Sequence, residues 1–389
     1  MFRDCLLGDV LTLKRGYDLP SQSRIEGAIP VVSSSGFSGT HSVAKVKGPG
    51  VVTGRYGTIG EVHYVPGDFW PLNTTLYVQD FKGNDPRFIS YFLQTLDLAS
   101  RNAAAAVPGV NRNDLHRLPV RCPDIGRQRR IASILSAYDD LIENNARRIA
   151  ILEEMARRIY EEWFVRLRFP GHEDVRMVES ELGPVPMGWR FTALREVCAY
   201  INRGLAPKYD DAAPGIVINQ KCIRDQRLSL VEARRQNKSV PQEKLVAVGD
   251  VLINSTGVGT LGRVAQVLEP LESCTVDTHV SIVRPSEEIN RDFFGLALFS
   301  KQPDFEAMGV GSTGQTELSR GRIADAVLLL PPKALQDEFG VLVRDMRLLA
   351  VRLQAANRNV CATRDLLLPK LISGELDVSK LPVPQAIAA

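Results

Sequence analysis

This sequence lacks the long apolar runs and paired cysteines that mark membrane, secreted and zinc-binding proteins. No run approaches the ~18 consecutive apolar residues of a membrane-spanning helix, and the opening residues MFRDCLLGDV have no signal-peptide core. The six cysteines are scattered without a C-x-x-C pair, which favours reduced, mostly buried thiols over a disulfide framework or a metal site. We therefore expect an intracellular protein that binds no metal.

The motifs of self-contained enzymes are missing as well. The chain has no GxxxxGK[ST] phosphate loop, no HExxH, no GxSxG and no [DNS]PP[YFW] tetrapeptide of the amino-methyltransferases. Gly257 to Gly262 matches G-x-G-x-x-G, but the following RVAQVLEP reads as a strand, whereas a dinucleotide site requires a helix there. A turn between two strands, with glycines at positive φ, is the better interpretation.

Charge of one sign is not in excess. The 48 Lys and Arg against 45 Asp and Glu give a net charge of +3, which neither proves nor excludes a nucleic-acid partner because the distribution of charge matters more. The 389 residues allow two to three domains, and 44% hydrophobic with 24% charged residues is ordinary for a globular protein.

Two long heptad repeats are the most regular features of the sequence. Between residues 127 and 167, apolar residues recur in alternating steps of four and three at Ile131, Leu135, Tyr138, Ile142, Ile149, Leu152, Ala156, Ile159 and Trp163. Residues 335–371 repeat the spacing at Phe339, Val343, Met346, Ala350, Leu353, Val360, Leu367 and Leu371, with Asn357 and Arg364 as polar members. A helix roughly 60 Å long cannot bury such a stripe alone, so the two should pack as an antiparallel coiled coil, with Asn145 fixing the register.

The remainder of the chain is also repeated. LGDVLTLKRG from Leu7 corresponds to LREVCAYINRG from Leu194, an offset of 187, and the helices correspond with an offset of 208, from Ile131 to Phe339. GTIGEV and GTLGRV, at an offset of 202, lie between them. The second copy should therefore contain about fifteen additional residues near 225–242.

These patterns predict an α+β fold. Two mixed α/β domains are separated by two long helices packed as an antiparallel coiled coil, so that the chain is an internal repeat with an approximate two-fold axis. In the first domain we expect strands at 9–14, 29–33, 50–54, 60–65, 76–81 and 118–123, and a helix at 86–100.

Candidate binding residues occur at matched places in the two halves. Basic residues before Gly16 and Gly204, and polar residues in turns, are typical of solvated loops, but they are also the side chains that contact nucleic-acid backbones and base edges. Both interpretations remain open for each residue. The candidates for DNA binding are Lys14, Arg15, Ser34, Ser35, Arg55, Tyr56, Thr58, Asn73, Thr74, Thr75, Arg203, Asn219, Gln220, Lys221, Asn254, Ser255, Thr256, Thr260, Arg263, His279, Gln315 and Thr316.

Four segments resemble the specificity subunit of type I restriction-modification systems. They are ARRIYEEWFVRLRFPGH at 156–172, LGPVPMGWR at 182–190, GRQRRIASIL at 126–135 and LLLPKLISGELDVS at 366–379. The resemblance covers essentially the whole chain and is strongest in the helical segments. One departure is that the N-terminal half lacks the PxGW motif found at Pro186 to Trp189.

The resemblance implies target recognition domains at 1–124 and 190–333, long helices at 125–168 and 334–372, a linker at 169–189 and a tail at 373–389. It implies that each domain reads one half of a split, asymmetric DNA sequence in the major groove, while the helices set the unread spacer and dock two methyltransferase subunits. The chain itself would bind no cofactor. Its partners would use S-adenosylmethionine to methylate adenine N6, and the family also includes ATP- and Mg-dependent restriction subunits.

This interpretation predicts a non-catalytic DNA-reading subunit in the cytoplasm of a bacterium or archaeon, with half-sites ~34 Å apart on one DNA face. One alternative is a coiled-coil scaffold or antitoxin-like protein that binds only protein partners. A second is an enzyme with its site in the Gly-rich turns, which the missing motifs disfavour. The recognition half of a fused restriction-methylation enzyme is disfavoured because recognition modules occur in both halves of this chain.

Overall fold

The computed structural model describes residues 2–98, 109–180, 183–309 and 317–381. They form two compact units, one made of Met1–Asn145 with Ala356–Ala389 and the other of Ala146–Ala355. The first unit is therefore discontinuous in sequence, whereas the second is continuous. None of the helices in the described ranges combines the length and apolar character needed to cross a bilayer.

The first unit is a mixed α/β structure. Its strands are β1 Phe2–Leu6, β2 Thr12–Arg15, β3 Ile29–Ser33, β4 Gly36–His41, β5 Gly50–Gly54, β6 Val62–Val65, β7 Trp70–Pro71, β8 Thr75–Asp80 and β9 Pro119–Pro123. Its helices are α1 Leu7–Val10, α2 Pro86–Gln94, α3 Arg112–His116 and the first part of α4 Ile125–Tyr160. The strands pair in three sheets of order β2-β8-β5-β6, β4-β3-β7 and β1-β9.

The second unit repeats this arrangement with additions. Its strands are β10 Met177–Val178, β11 Val185–Pro186, β12 Arg190–Ala193, β13 Cys198–Arg203, β14 Gly215–Ile218, β15 Ile223–Arg224, β16 Arg227–Leu228, β17 Arg234–Gln236, β18 Val251–Asn254, β19 Val264–Gln266, β20 Cys274–Val276, β21 Val280–Pro285 and β22 Val327–Leu330. Its helices are the second part of α4, α5 Leu194–Val197, α6 Arg291–Ser300, α7 Gln302–Ala307, α8 Arg320–Asp325 and the first part of α9 Lys333–Ser373, whose second part belongs to the first unit.

The strand orders of the second unit confirm the internal repeat. The sheets β13-β21-β18-β19, β17-β14-β20 and β12-β22 match those of the first unit strand for strand, and the central pairs β3 with β7 and β14 with β20 are both parallel. The predicted insertion is also confirmed. Two residues join β3 to β4, whereas residues 219–233 join β14 to β17 and include the hairpin β15–β16.

In the first unit, the helices α4 and α9 run antiparallel and meet through polar side chains. The Asn145 amide nitrogen donates to the Asn357 side-chain oxygen at 2.8 Å, and the Asn357 amide donates to the Ile142 carbonyl at 3.1 Å. Arg364 pairs with Asp139 at 2.7 Å. The buried Asn145 has its partner in one alignment of the two helices only, which supports the prediction that it fixes the register; its pairing with Asn357 was not predicted.

In the second unit, aromatic residues of the same two helices form the centre of the core. Phe339 is fully buried, and its ring lies 4.9 Å from that of Phe164 and 5.8 Å from that of Trp163. The first long helix does not stay α-helical to residue 167 as expected, because Glu161–Val165 forms a π-helical turn. This turn contains Trp163 and Phe164, both of which are buried in the core.

Several predicted elements of the first domain agree with the structure, and two need correction. The strands at 29–33 and 50–54 are confirmed as β3 and β5. The expected strand at 9–14 is wrong at its start, because LGDV forms the helical turn α1, in which Leu7 and Val10 are both buried. The helix expected at 86–100 begins at Pro86 but ends at Gln94.

The six cysteines are free thiols, and three of them are buried: Cys122, Cys222 and Cys274. Burial raises the pKa of Cys122 to about 11 and that of Cys274 to about 12, so both remain protonated at neutral pH.

Candidate nucleic-acid interface

The turn after β5 is the centre of the candidate site in the first unit. The Arg55 and Tyr56 backbone N–H groups both donate to the Thr74 carbonyl, at 2.9 and 3.2 Å, and the Val110 N–H donates to the Arg55 carbonyl at 3.0 Å. Three segments that are far apart in sequence are thereby held together by backbone groups alone. The Arg55 and Tyr56 side chains take no part in these bonds.

These segments enclose an open cavity of about 430 Å³ with a cationic lining. It is lined by Arg15, Arg55, Tyr56, Leu76, Gly109, Val110, Asn111 and Arg112. The Arg55 guanidinium lies over the Tyr56 ring, 4.6 Å from its centroid. Within the described ranges, none of the three arginines forms an ion pair with a carboxylate. Such a cavity favours an anion.

Other predicted residues of the first unit lie near the turn after β5 but do not line this cavity. The Ser33 and Ser35 hydroxyls are 3.1 Å apart, and a Cβ on Gly57 would lie 3.4 Å from the Ser34 hydroxyl, so the serine turn and the turn containing Thr58 are neighbours. The Asn73 amide donates to Asp18. Thr74 is half-buried, and Thr75 is fully buried and donates to the Leu72 carbonyl at 2.7 Å. Thr75 can influence a ligand only through this loop.

Lys14 faces a different surface from its neighbour Arg15. Its ammonium group lies 5.8 Å from the Tyr17 ring centroid, and Lys45 lies 5.2 Å from the same ring. The Tyr17 hydroxyl is 3.0 Å from that of Tyr77, and this hydrogen bond, helped by the two lysines, lowers the pKa of Tyr17. Burial raises the pKa of Tyr77, so Tyr17 is the first of the pair to lose its proton as the pH rises.

In the second unit, the Gly-rich turn is confirmed as a β-hairpin between β18 and β19, with Gly257, Gly259 and Gly262 at positive φ. Asn254 and Ser255 are fully buried at its base. Their side chains bond to the Gln220 carbonyl at 3.0 Å and to the Ser281 hydroxyl at 2.6 Å. Burial gives these two residues a structural role, so any effect they have on a ligand is indirect.

The exposed part of this hairpin is arranged differently. The Thr256 hydroxyl lies 2.7 Å from His279 Nδ1, and the Thr260 hydroxyl lies 3.4 Å from the Gly257 carbonyl. Arg263 donates to the Gly259 carbonyl at 2.7 Å, which holds its guanidinium against the turn. Thr256 and His279 are therefore brought together, whereas Arg263 braces the loop.

A second open cavity, of about 390 Å³, collects further predicted residues. It is lined by Tyr209, Asn219, Gln220, Lys221, Val231, Glu232, Ala233, Arg234, Asp277 and His279. Arg234 stacks on Tyr209, 3.5 Å from the ring centroid. Burial raises the pKa of Asp277, which accepts a hydrogen bond from the His279 backbone at 2.9 Å. The cavity thus offers donors and acceptors side by side.

Arg203 differs from the other predicted cations because it is neutralised inside its own unit. Its guanidinium lies 2.7 Å from the Glu317 carboxylate and donates to the Leu318 carbonyl at 3.0 Å. The nearby candidates Gln315 and Thr316 lie outside the described residues. Where the structure describes the chain, no group of three or more His, Cys, Asp or Glu side chains could hold a metal ion.

Among the residues that line these cavities, sequence reasoning missed three with a cationic or aromatic side chain: Arg112, Tyr209 and Arg234. Arg112 follows Asn111, whose side chain caps α3 by accepting from the Asn113 N–H at 3.0 Å. An N-cap residue followed by a basic residue was a readable signal in VNRNDL. Arg234 begins β17, directly after the inserted segment, in a part of the chain where the comparison of the two halves found no matched motif.

The known proteins to which this chain is similar are of one kind. Residues 4–154 match the family model for the type I restriction modification DNA specificity domain. The chain is 23% identical over 290 residues to the type I restriction enzyme MjaIX specificity subunit of Methanocaldococcus jannaschii, covering 72% of this chain and 66% of that relative. It is 22% identical over 350 residues to the HindI specificity subunit of Haemophilus influenzae, covering 72% and 73%.

The fold is shared with a solved structure of the same kind. The S subunit of a type I restriction-modification system from M. genitalium superposes with a TM-score of 0.67 at 17% sequence identity, covering 96% of each chain. At this identity the likeness concerns the fold.

Proposed function

We propose that this chain, which belongs to the family of type I restriction-modification specificity subunits, binds double-stranded DNA and reads a bipartite, asymmetric target. Each unit would read one half-site. The observation that carries the proposal is the cavity of Arg15, Arg55 and Arg112, whose cations have no carboxylate partner among the described residues. Lys and Arg in this state release counterions when they meet phosphates, which supplies most non-specific DNA affinity.

Sequence reading is proposed for the polar side chains that border the two cavities. Phosphate contacts position a protein on the duplex, whereas side chains that reach base edges specify sequence. In the first unit these are Arg55, Tyr56 and the serine turn, and in the second they are Thr256, His279 and Lys221. An arginine over an aromatic ring is held in one direction, which suits bidentate contact with guanine.

The chemistry is assigned to partner subunits. Two methyltransferase subunits would bind S-adenosylmethionine and methylate adenine N6, and ATP- and Mg-dependent restriction subunits would complete the system. This chain would contribute recognition and no catalytic group. The names of its relatives, which are specificity subunits of type I restriction enzymes, support this division of labour.

Docking of a methyltransferase is proposed for the exposed apolar face of the long helices in the second unit. Ile151 and Met155 lie one turn apart on α4 and are 57% and 44% exposed. Changing both to glutamate should reduce co-purification with the methyltransferase at least tenfold, because a charge would have to be buried in the interface.

The matched control is Val231→Glu. It likewise replaces an exposed apolar residue of the same unit with glutamate, but at a position outside the long helices. It should leave co-purification unchanged. If the Ile151→Glu/Met155→Glu variant co-purifies with the methyltransferase in the same amount as the Val231→Glu control, the docking face lies elsewhere.

Mapping of N6-methyladenine in host DNA, with and without the gene, tests the whole proposal. Deletion should remove methylation from one bipartite motif, and complementation with the intact chain should restore it. If no motif changes although the methyltransferase is expressed, the chain is better explained as a scaffold for protein partners than as a DNA reader.

A further inference from the structure

Arg15 and Arg203 occupy the same place in the two units. Arg15 ends β2 opposite Leu76 of β8, and Arg203 ends β13 opposite Ser281 of β21. Each is followed by a glycine at which a Cβ would overlap the backbone of a neighbouring loop, at Gly16 and Gly204. The two arginines therefore leave their sheets at equivalent points.

The segment that faces each arginine is also equivalent, but its residues differ. The Val110 N–H donates to the Arg55 carbonyl at 3.0 Å, and the Leu318 N–H donates to the Ser255 carbonyl at 2.9 Å. Glu317 therefore stands where the first unit has Gly109, and the buried Ser255 stands where it has Arg55.

The local packing of each unit suits the residue that it has, Gly109 in the first and Glu317 in the second. In the first, a Cβ at Gly109 would overlap the Tyr56 ring, so no acidic side chain fits there while Tyr56 keeps its position. In the second, the Glu317 carboxylate is 56% exposed and lies 2.7 Å from the Arg203 guanidinium. A half-exposed pair of this kind adds little stability, but it cancels the charge that Arg203 would present.

We infer that the two units hold the DNA backbone unequally: Arg15 and Arg112, which lie beside the base-reading Arg55, form a phosphate site in the first unit, whereas the ion pair with Glu317 keeps Arg203 from a phosphate in the second. The inference rests on the proposed DNA-binding function. Glu317 then limits non-specific affinity of the second unit, and the first unit supplies most of the salt-dependent binding. The role of Glu317 is to set binding strength, with no contact to a base.

A salt titration with the full chain assembled with its methyltransferase tests this inference. The probe is a duplex of about thirty base pairs without the target, since only backbone contacts then contribute. The binding constant K falls as salt is added, and the slope meant here is the magnitude of the change in log K with log salt. Each phosphate contact contributes about 0.9 to this slope, so each contact lowers K about 3.5-fold between 50 and 200 mM salt.

We expect Arg15→Ala to lower the slope by about one contact and Arg203→Ala to leave it unchanged. Glu317→Gln should raise the slope by about one contact, because it releases Arg203. The double variant Glu317→Gln/Arg203→Ala should return to the wild-type slope, which shows that the gain belongs to Arg203 and does not reflect a general loss of negative charge.

The inference of unequal backbone contacts is overturned if Arg15→Ala and Arg203→Ala lower the slope equally, or if Glu317→Gln leaves the slope unchanged. Neither result would contradict DNA binding itself. If the wild-type assembly binds neither this duplex nor one carrying the methylated motif at any salt concentration, the proposed function itself is wrong. Unchanged circular dichroism and melting of each variant keep these outcomes separate from misfolding.

Discussion

Replacing Arg55 and Tyr56 together with alanine is expected to abolish or relax recognition of one half-site while leaving assembly with the methyltransferase intact. The pair presents a guanidinium fixed over a ring at the mouth of the cationic cavity. A good base contact discriminates by about 1–3 kcal/mol, so losing one should reduce selectivity at that half-site by roughly 5- to 150-fold.

The fold should tolerate this change because the turn is tied by its backbone. The bonds to Thr74 and Val110 use the main-chain groups of residues 55 and 56, which alanine keeps. Selectivity is measured with duplexes in which each base pair of the mapped target is changed in turn. Only one contiguous half of the target should lose its preference.

Thr256→Ala/His279→Ala is the matched variant in the second unit, since these side chains bond to each other beside the other cavity. It should relax the opposite half of the target. An unchanged sequence preference in the Arg55→Ala/Tyr56→Ala variant would remove those residues from the reading site, and loss of both halves at once would mean that the two sites are not independent.

Removing Asp292 is expected to have the largest effect on stability. Arg347 is buried with its guanidinium 3.1 Å from the Asp292 carboxylate and 2.7 Å from the Gln266 side-chain oxygen. Burial lowers the pKa of Arg347, and the nearby carboxylate opposes that shift. Asp292→Ala leaves this cation with only a neutral partner at bonding distance, which should cost about 3–5 kcal/mol in the free energy of unfolding of the second unit.

Urea unfolding in a Trp70→Phe background measures this, because the remaining Trp163 and Trp189 are both buried in the second unit's core. Asp304→Ala, which removes the partner of Lys301 in an exposed pair, should cost less than about 1 kcal/mol. Asp292→Leu/Arg347→Met should recover most of the loss, since no buried charge is left without a partner; Arg344, the other partner of Asp292, is 54% exposed and is solvated by water. If the double variant is as unstable as Asp292→Ala, the ion pair is not the cause.

The helices and the repeat could be predicted because their signals are periodic and long. A heptad pattern that holds at nine positions fits a long helix better than any other element. The offset of 208 residues between Ile131 and Phe339 also relates strand β9, which pairs with β1, to strand β22, which pairs with β12. The strand β5 was readable because its five residues are all buried and glycines bound it. The pattern of apolar residues shows which positions are buried, and burial determines where these helices and strands form.

Other features could not be read because they depend on contacts between distant residues. LGDV has an apolar content that suits a strand, but packing buries Leu7 and Val10 in a single helical turn. Arg203 and Glu317 are separated by more than a hundred residues, and nothing local to either one indicates the pair. A surface arginine therefore looks the same in sequence whether it has no carboxylate partner among the described residues, like Arg15, or is paired with a carboxylate, like Arg203.

The discontinuity of the first unit has a consequence for protein synthesis. Its core contains Ile131 and Leu135 together with Leu371, Ile372 and Val378, so it lacks part of its packing until residues 371–378 have left the ribosome. The second unit is continuous and can be complete while the nascent chain is still being extended. The unit whose synthesis begins first is thus the last to finish folding, and a stop codon before residue 371 removes part of the core of the first unit.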